Sequence, residues 1–250
     1  MTSQGPGTPA PAVLRAAAVL DTISRHPETP VRASDLARET GIPNSSVTNI
    51  LAALVETKFV RRIGPGYLIG PAVVEFAASF LRSDDPVQRF RGFVPSMEFL
   101  SAETAQLATL VDGDVLFLAR HDGTQPIALT SAIGKRLPAS CTAIGKALLS
   151  QFATNEIERM LTDPLPQLTQ RSHRSLKSLI GDLNEIRERG YAIDDEEAAP
   201  NVVCLGIAVD VSDGEPRYAM STTLFKERLT TELRERLVAD LTSVASYLAK

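Results

Sequence analysis

Residues 31–67 read VRASDLARETGIPNSSVTNILAALVETKFVRRIGPGY, and this stretch decides the fold of the N-terminal part of the chain. Ser34 is placed to cap a short helix running to Thr40, and Gly41 to end it in the left-handed conformation. Ile42–Pro43 then makes a tight connection to a second helix over 44–57. Its apolar residues Val47, Ile50, Leu51, Leu54 and Val55 recur at i, i+3, i+4, i+7 and i+8, which is one inward stripe. The opposite face carries Ser45, Asn49, Ala52 and Glu56, flanked by Ser46, Thr48 and Ala53. That face is polar but small, so a flat surface can approach it closely. Two short helices across a Gly-containing turn predict a helix-turn-helix whose second helix enters a DNA major groove. Directly afterwards, FVRRIGPGY (59–67) reads as a strand, a tight turn and a returning strand. This hairpin is a wing. It carries Arg61 and Arg62, with Lys58 beside it, as phosphate partners. Asn49 is the candidate for base contact, because a carboxamide can pair bidentately with an adenine edge; an exposed, solvated asparagine would fit the same pattern. Ser45, Ser46 and Thr48 are candidates for base or phosphate contact, and equally for capping the helix.

Charge supports a division of labour. The 250 residues carry a net charge of −4, with 22% charged and 44% hydrophobic residues. Residues 1–83 hold 8 Lys and Arg against 6 Asp and Glu, while the remainder holds 18 against 24. The basic excess therefore lies with the DNA-contacting stretch, and the acidic remainder would repel a polyanion. No apolar run approaches a membrane span, and the Ala-rich segment near the start is interrupted by Arg15 and Asp21. Two cysteines, Cys141 and Cys204, are too few for a disulfide framework, and the expected location is cytoplasmic.

Outward from the opening stretch, residues 1–11 are rich in Gly, Pro, Thr and Ser and read as a disordered tail. A helix over 12–24 is expected to turn Val13, Leu14, Ala17, Leu20 and Ile23 inward and to complete a three-helix winged module over 12–70. Residues 71–86 begin with Pro at a helix start and read as a linker helix whose exposed apolar face can pair with a second subunit. Residues 87–250 form the second domain. Its expected helices lie at 88–102, 143–150, 154–161, 175–189 and 228–249, and its strands at 106–111, 115–120, 127–132, 191–193, 202–211 and 217–224. Tight turns are expected at Asp112–Asp114 and Ser212–Pro216. The class is α+β, with an antiparallel sheet covered mainly on one face.

Catalytic chemistry is absent from this pattern. His26, His121 and His173 are dispersed without metal-ligand spacing, and no nucleophile–base–orienter set stands out, so no enzyme, metal or cofactor is expected. The run AIGKA (143–147) resembles the end of a phosphate loop, but Ser140 stands where the earlier Gly belongs and Ala147 replaces the magnesium-binding hydroxyl. The second domain offers instead small polar groups on apolar strands. Cys204 lies on one strand, and Ser221 and Thr223 alternate to one face of the next. Asp194 ends a further strand, and the amides near Ala143 and Ile144 sit at a helix start. Such a set suits a mostly apolar pocket for a small organic acid; packing and capping account for each residue taken alone.

At these residues the chain resembles the IclR family of bacterial transcriptional regulators. The motifs are VLRAAAVLDTI, DLARETGIPNSSVTNILAALVETKFV and YLIG in the first part, and LPASCTAIGKALLS, RERGYAIDDEEA and VVCLGIAVDV in the second. The resemblance implies a winged helix-turn-helix joined by a linker helix to a GAF-like effector-binding domain. It further implies homodimers or homotetramers, double-stranded operator DNA as partner, and a small metabolite that alters operator binding, with repression as the expected mode. Carried over by motif, the effector site comprises Ala143 and Ile144 through their amides, with Asp194, Cys204, Ser221 and Thr223. The chain departs from the family pattern at Asn44, Ser140 and Pro200–Asn201. An alternative reading from the residues is a thiol redox sensor using Cys141 and Cys204.

Overall fold

A computed structural model describes residues 10–124, 132–209 and 218–250 of the chain. It divides into two compact units, one ending at Phe80 and the other running from Leu81 to Lys250. Residues 1–9 of the tail expected over 1–11, residues 127–131 of the strand expected at 127–132 and the turn at 212–216 lie outside the described residues, while Pro11 already belongs to the first helix.

The first unit contains helices α1 (Pro11–Ser24), α2 (Ala33–Thr40) and α3 (Asn44–Glu56) with strands β1 (Val31–Arg32), β2 (Val60–Ile63) and β3 (Gly66–Ile69). Gly41 closes α2 at φ 68°, a left-handed conformation that costs a glycine little. The cap at its other end differs from expectation. Arg32 is the cap, Ser34 lies inside the helix, and no side chain caps it, because Val31 and Arg32 are drawn into a strand paired with Tyr67 and Gly66 of β3. Val47, Leu51 and Leu54 of α3 bury against Val19, Ile23, Leu36 and Val60, which is the core of the unit. Helix α1 departs further. Val19, Thr22 and Ile23 are its buried residues, whereas Val13 is 66% and Leu14 58% exposed. The small core reaches only the last turns of α1, so apolar character at its start secures no burial within the unit. Helix α4 (Ala72–Ser83) follows; it buries no residue and exposes Val74, Phe76 and Phe80.

The second unit is built on a six-stranded, wholly antiparallel sheet. After α5 (Asp85–Phe93) come β4 (Thr104–Val111), β5 (Asp114–His121) and β6 (Arg136–Pro138). Next are α6 (Ala143–Leu149), α7 (Thr154–Met160), α8 (Leu176–Arg189), β7 (Ala192–Asp195), β8 (Val202–Val209), β9 (Tyr218–Phe225) and α9 (Thr231–Leu248). The order across the sheet is β6-β5-β4-β9-β8-β7. The helix expected at 88–102 ends at Phe93 and gives way to 3-10 turns at Val94–Ser96 and Leu100–Ala102. Pro95 has no amide hydrogen with which to continue the helix. Both sheet faces are covered, which corrects the expectation of one. Val87 and Phe90 of α5 and Leu237, Leu241 and Val244 of α9 pack on Leu107, Leu205 and Met220. Ile144 and Leu148 of α6 with Leu179, Leu183 and Ile186 of α8 pack on Ala108, Phe117 and Ala219. An antiparallel sheet can be solvated on one side, but here Leu107, Leu205 and Met220 serve one helix layer while Ala108, Ala208 and Ala219 serve the other. Asp84 caps α5 by accepting the Val87 amide, and its other carboxylate oxygen accepts the Tyr218 hydroxyl at 2.6 Å.

Candidate functional site

In the first unit, the outward side of α3 presents Ser45, Thr48 and Asn49 exposed and Ser46 half-buried. The Thr48 hydroxyl donates to the Asn44 carbonyl at 2.9 Å, which commits its hydrogen to the helix and leaves its lone pairs outward. Lys58, Arg61 and Arg62 are also exposed. Lys58 turns the chain into the wing at φ 61°, and Arg62 Nε donates across the wing turn to the Gly64 carbonyl at 3.3 Å. Arg61 and Arg62 are adjacent on β2, so they point to opposite faces of the hairpin.

In the second unit, register does what spacing alone could not. Asp194 pairs with Cys204, and Cys204 with Thr223, making one row across β7, β8 and β9. The next row on the same face is Gly206, Ser221 and Gln106. Helix α6 starts directly over these rows. A Cβ on Gly206 would lie 2.5 Å from the Ala143 carbonyl oxygen, and one on Gly145 2.3 Å from that of Ala139. The bare backbone of Gly206 lets the start of α6 come this close to the sheet, and that of Gly145 lets the preceding turn fold tightly against the helix. Between helix and sheet lies a cavity of about 320 Å³. Ala143, Ile144, Asp194, Cys204, Ser221 and Thr223 all line it. Gln106, Phe117, Lys135, Leu137 and Leu168 line it too, and the sequence reading had not singled them out. Their alternation marks them as strand or loop residues, but nothing in the sequence reveals which distant strands are neighbours.

Asp194 is the chemically distinctive group. It is 1% exposed. Its Oδ1 accepts the amides of Glu197 at 2.7 Å and Ala198 at 3.2 Å, while Oδ2 has no hydrogen-bond partner among the described residues. Burial, followed by the charge of Glu197, pushes its carboxyl up to about 7, against the pull of the two amides and Lys146. Cys204 Sγ lies 3.3 Å from the Thr223 hydroxyl, and burial with the nearby Asp194 pushes its thiol well up. Cys141 Sγ meets the Pro166 carbonyl at 3.2 Å, and burial raises it as well. A sensing thiol needs a lowered pKa and access, so neither cysteine has the environment that the redox alternative requires.

Beside the cavity lies an ionic cluster that sequence reasoning missed. Lys146, in the AIGKA run, is 1% exposed. Its Nζ donates to Asp182 Oδ2 at 2.7 Å and to Glu197 Oε1 at 2.5 Å. His173 Nε2 lies 3.1 Å from Asp182 Oδ2, and its Nδ1 lies 2.8 Å from the Ser178 hydroxyl. Although burial opposes its charge, Asp182 is held at about 2 by His173 and Lys146. Lys146 is likewise raised, its desolvation outweighed by the carboxylates of Glu197 and Asp182. His173, Asp182 and Glu197 bring ligand-type atoms within 4.8 Å of one another, but the ammonium of Lys146 already serves as the cation between the two carboxylates.

Comparison with known proteins assigns the chain. The family model described as bacterial transcriptional regulator IclR C-terminal matches residues 78–250, and the IclR helix-turn-helix domain matches 12–64. The chain belongs to the IclR family. It is 28% identical over 207 residues to the transcriptional repressor IclR of Escherichia coli, covering 81% of this chain and 76% of that protein. An IclR transcriptional regulator from Alicyclobacillus acidocaldarius shares its fold with a TM-score of 0.82 at 21% identity, over 97% of this chain and 98% of that one. An IclR homolog from Microbacterium hydrocarbonoxydans, complexed with 4-hydroxybenzoate, has a TM-score of 0.72 at 22% identity, over 95% of this chain and 98% of that one. This IclR-family protein is thus a DNA-binding transcriptional regulator with an N-terminal helix-turn-helix and a C-terminal α/β domain. Among the described residues, no helix is long and apolar enough to cross a membrane.

Proposed function

We propose that this IclR-family regulator is a repressor whose C-terminal domain binds a small organic or aromatic acid and thereby changes operator affinity. The observation that carries the reading is the cavity under α6, where six residues from four separate segments meet around about 320 Å³. That volume is at the small end for ligand pockets, and apolar walls with a few polar anchors are their usual construction. The E. coli relative is a repressor, and the Microbacterium neighbour holds an aromatic acid; both support the choice of mode and ligand class. On the DNA side, Asn49 reads a base edge, with Ser45, Ser46 and Thr48 around it, while Lys58, Arg61 and Arg62 engage phosphates. The protein acts as a homodimer or homotetramer, so that two recognition helices meet two half-sites.

The test is fluorescence anisotropy of the full chain on DNA from upstream of its own gene, against scrambled competitor at physiological salt. Saturable binding that survives competitor, and that shifts when benzoate or 4-hydroxybenzoate is added, is the expected result. Sequence-specific binding that no organic acid alters would remove the effector part of the proposal and leave the DNA part standing.

A further inference from the structure

We propose that an acidic effector binds this domain by pairing its carboxylate with Asp194 in the protonated form, so that effector binding takes up one proton from solvent. The inference rests on the organic-acid reading above. It begins with an imbalance of charge around one side chain. Asp194 is buried, lines the cavity, and uses only Oδ1 for the amides of Glu197 and Ala198, so that Oδ2 remains to meet a ligand.

Every ionisable neighbour bears on the outcome. Glu197, on the same loop, places a second carboxylate beside Asp194. Lys146 of α6 lies close, but its ammonium is shared between Glu197 and Asp182 of α8, where His173 also contacts Asp182. Cys204 of β8 faces it as a neutral thiol, and Ser221 and Thr223 of β9 offer only hydroxyls. The cation among the described lining residues is Lys135, which is exposed. A carboxylate entering such a site adds a further negative charge next to Asp194 and Glu197 with no buried cation left to neutralise it. Two carboxyl groups forced together share one proton, because the alternative is two like charges in low dielectric. The neutral Asp194 hydroxyl then donates from Oδ2 to the ligand, and Oδ1 keeps its two amide donors. Glu197 and Lys146 set the pH at which this occurs and act as positioning residues: Glu197 supplies both the amide that holds Oδ1 and the charge that opposes ionisation.

The experiment is isothermal titration calorimetry of the full chain with acetate, benzoate and 4-hydroxybenzoate between pH 5.5 and 8.5, in two buffers of different ionisation heat. The buffers count protons. About one proton is expected to be taken up per carboxylate bound at pH 8 and almost none at pH 5.5, with affinity falling about tenfold per pH unit above the Asp194 midpoint. Asp194→Asn, whose amide can donate as the neutral acid does, is expected to bind with affinity flat to within about twofold across the range. Glu197→Gln is expected to move the midpoint to lower pH, a shift that loosened packing alone would not cause. Wild-type binding that is independent of pH and takes up no proton at pH 8 would overturn the proposal while leaving the organic-acid reading intact. Failure of all three carboxylates at pH 5.5 would overturn both. If Asp194→Asn does not fold, the proton count on the wild type decides the matter alone.

Discussion

Under the proposed function, the exposed residues Asn49 of α3 and Arg62 of β2 carry different kinds of recognition. A carboxamide on α3 that pairs with one adenine edge contributes only where that base is present. Asn49→Ala is therefore expected to relax specificity at a single base pair, at about 1–3 kcal/mol, measured by competition among operators changed one position at a time. A guanidinium on the wing meets phosphate on any sequence. Arg62→Ala is expected to weaken specific and non-specific binding alike and to reduce the slope of log affinity against log salt by about 0.9. An unchanged slope would remove Arg62 from the phosphate contacts. Asp194 makes a separate prediction that needs no ligand. Its carboxyl is near 7 in the folded chain, against about 3.9 for an unperturbed carboxyl. A raised value means that the folded state holds a proton the unfolded chain has released. The stability this confers is whole below about pH 4 and is lost as pH rises through 7. Asp194→Asn should accordingly gain on the wild type between pH 4 and pH 8, by at most roughly 4 kcal/mol at 1.36 kcal/mol per pH unit. Denaturant titrations at the two pH values measure it.

At the scale of elements, the decisive one is α6, a helix of 7 residues buried throughout. Thr142 caps it by accepting the Gly145 amide at 3.0 Å, Gly206 admits it to the sheet, and Lys146 ties it to α8 and to the loop after β7. Gly206→Ala would place a methyl group 2.5 Å from the Ala143 carbonyl oxygen, where backbone must give way. The expected result is a destabilisation of about 1–3 kcal/mol together with loss of effector affinity, since α6 forms one wall of the cavity. Lys146→Met removes the cation and leaves buried Glu197 without its ammonium partner and half-buried Asp182 with His173 alone, at a cost of about 3 kcal/mol by chemical denaturation. A near-neutral outcome would show that the cluster relaxes by taking up protons.

For the whole molecule, the proposed function is a coupling between two sites on two compact units. Coupling of this kind is reciprocal: an acid that lowers operator affinity by some factor must itself bind more weakly, by the same factor, when operator is present. Calorimetry with and without a saturating operator duplex measures both sides of this equality. Equal effector affinity in the two states would mean that the acid binds without regulating.

The periodicity of α3 and the alternation of the wing were legible in the sequence because they are local: a stripe at 3.6 residues or a strand of period two is specified by neighbours in the chain. The helix-turn-helix with its exposed Asn49, Arg61 and Arg62 followed from that, and the family motifs marked the six residues that meet at the cavity. Burial of α1 was not legible, because Val13 and Leu14 satisfy a helical stripe whether or not a core reaches them. The membership of Gln106 and Phe117 in the cavity, the Lys146–Asp182–Glu197 cluster and the unpaired Oδ2 of Asp194 belong to the tertiary structure. Gln106 meets Ser221 across β4 and β9, and Lys146 meets Glu197 from another element. These contacts exist only after the sheet has closed in its register, and the low dielectric that raises the Asp194 carboxyl exists only once α6 has come down over it.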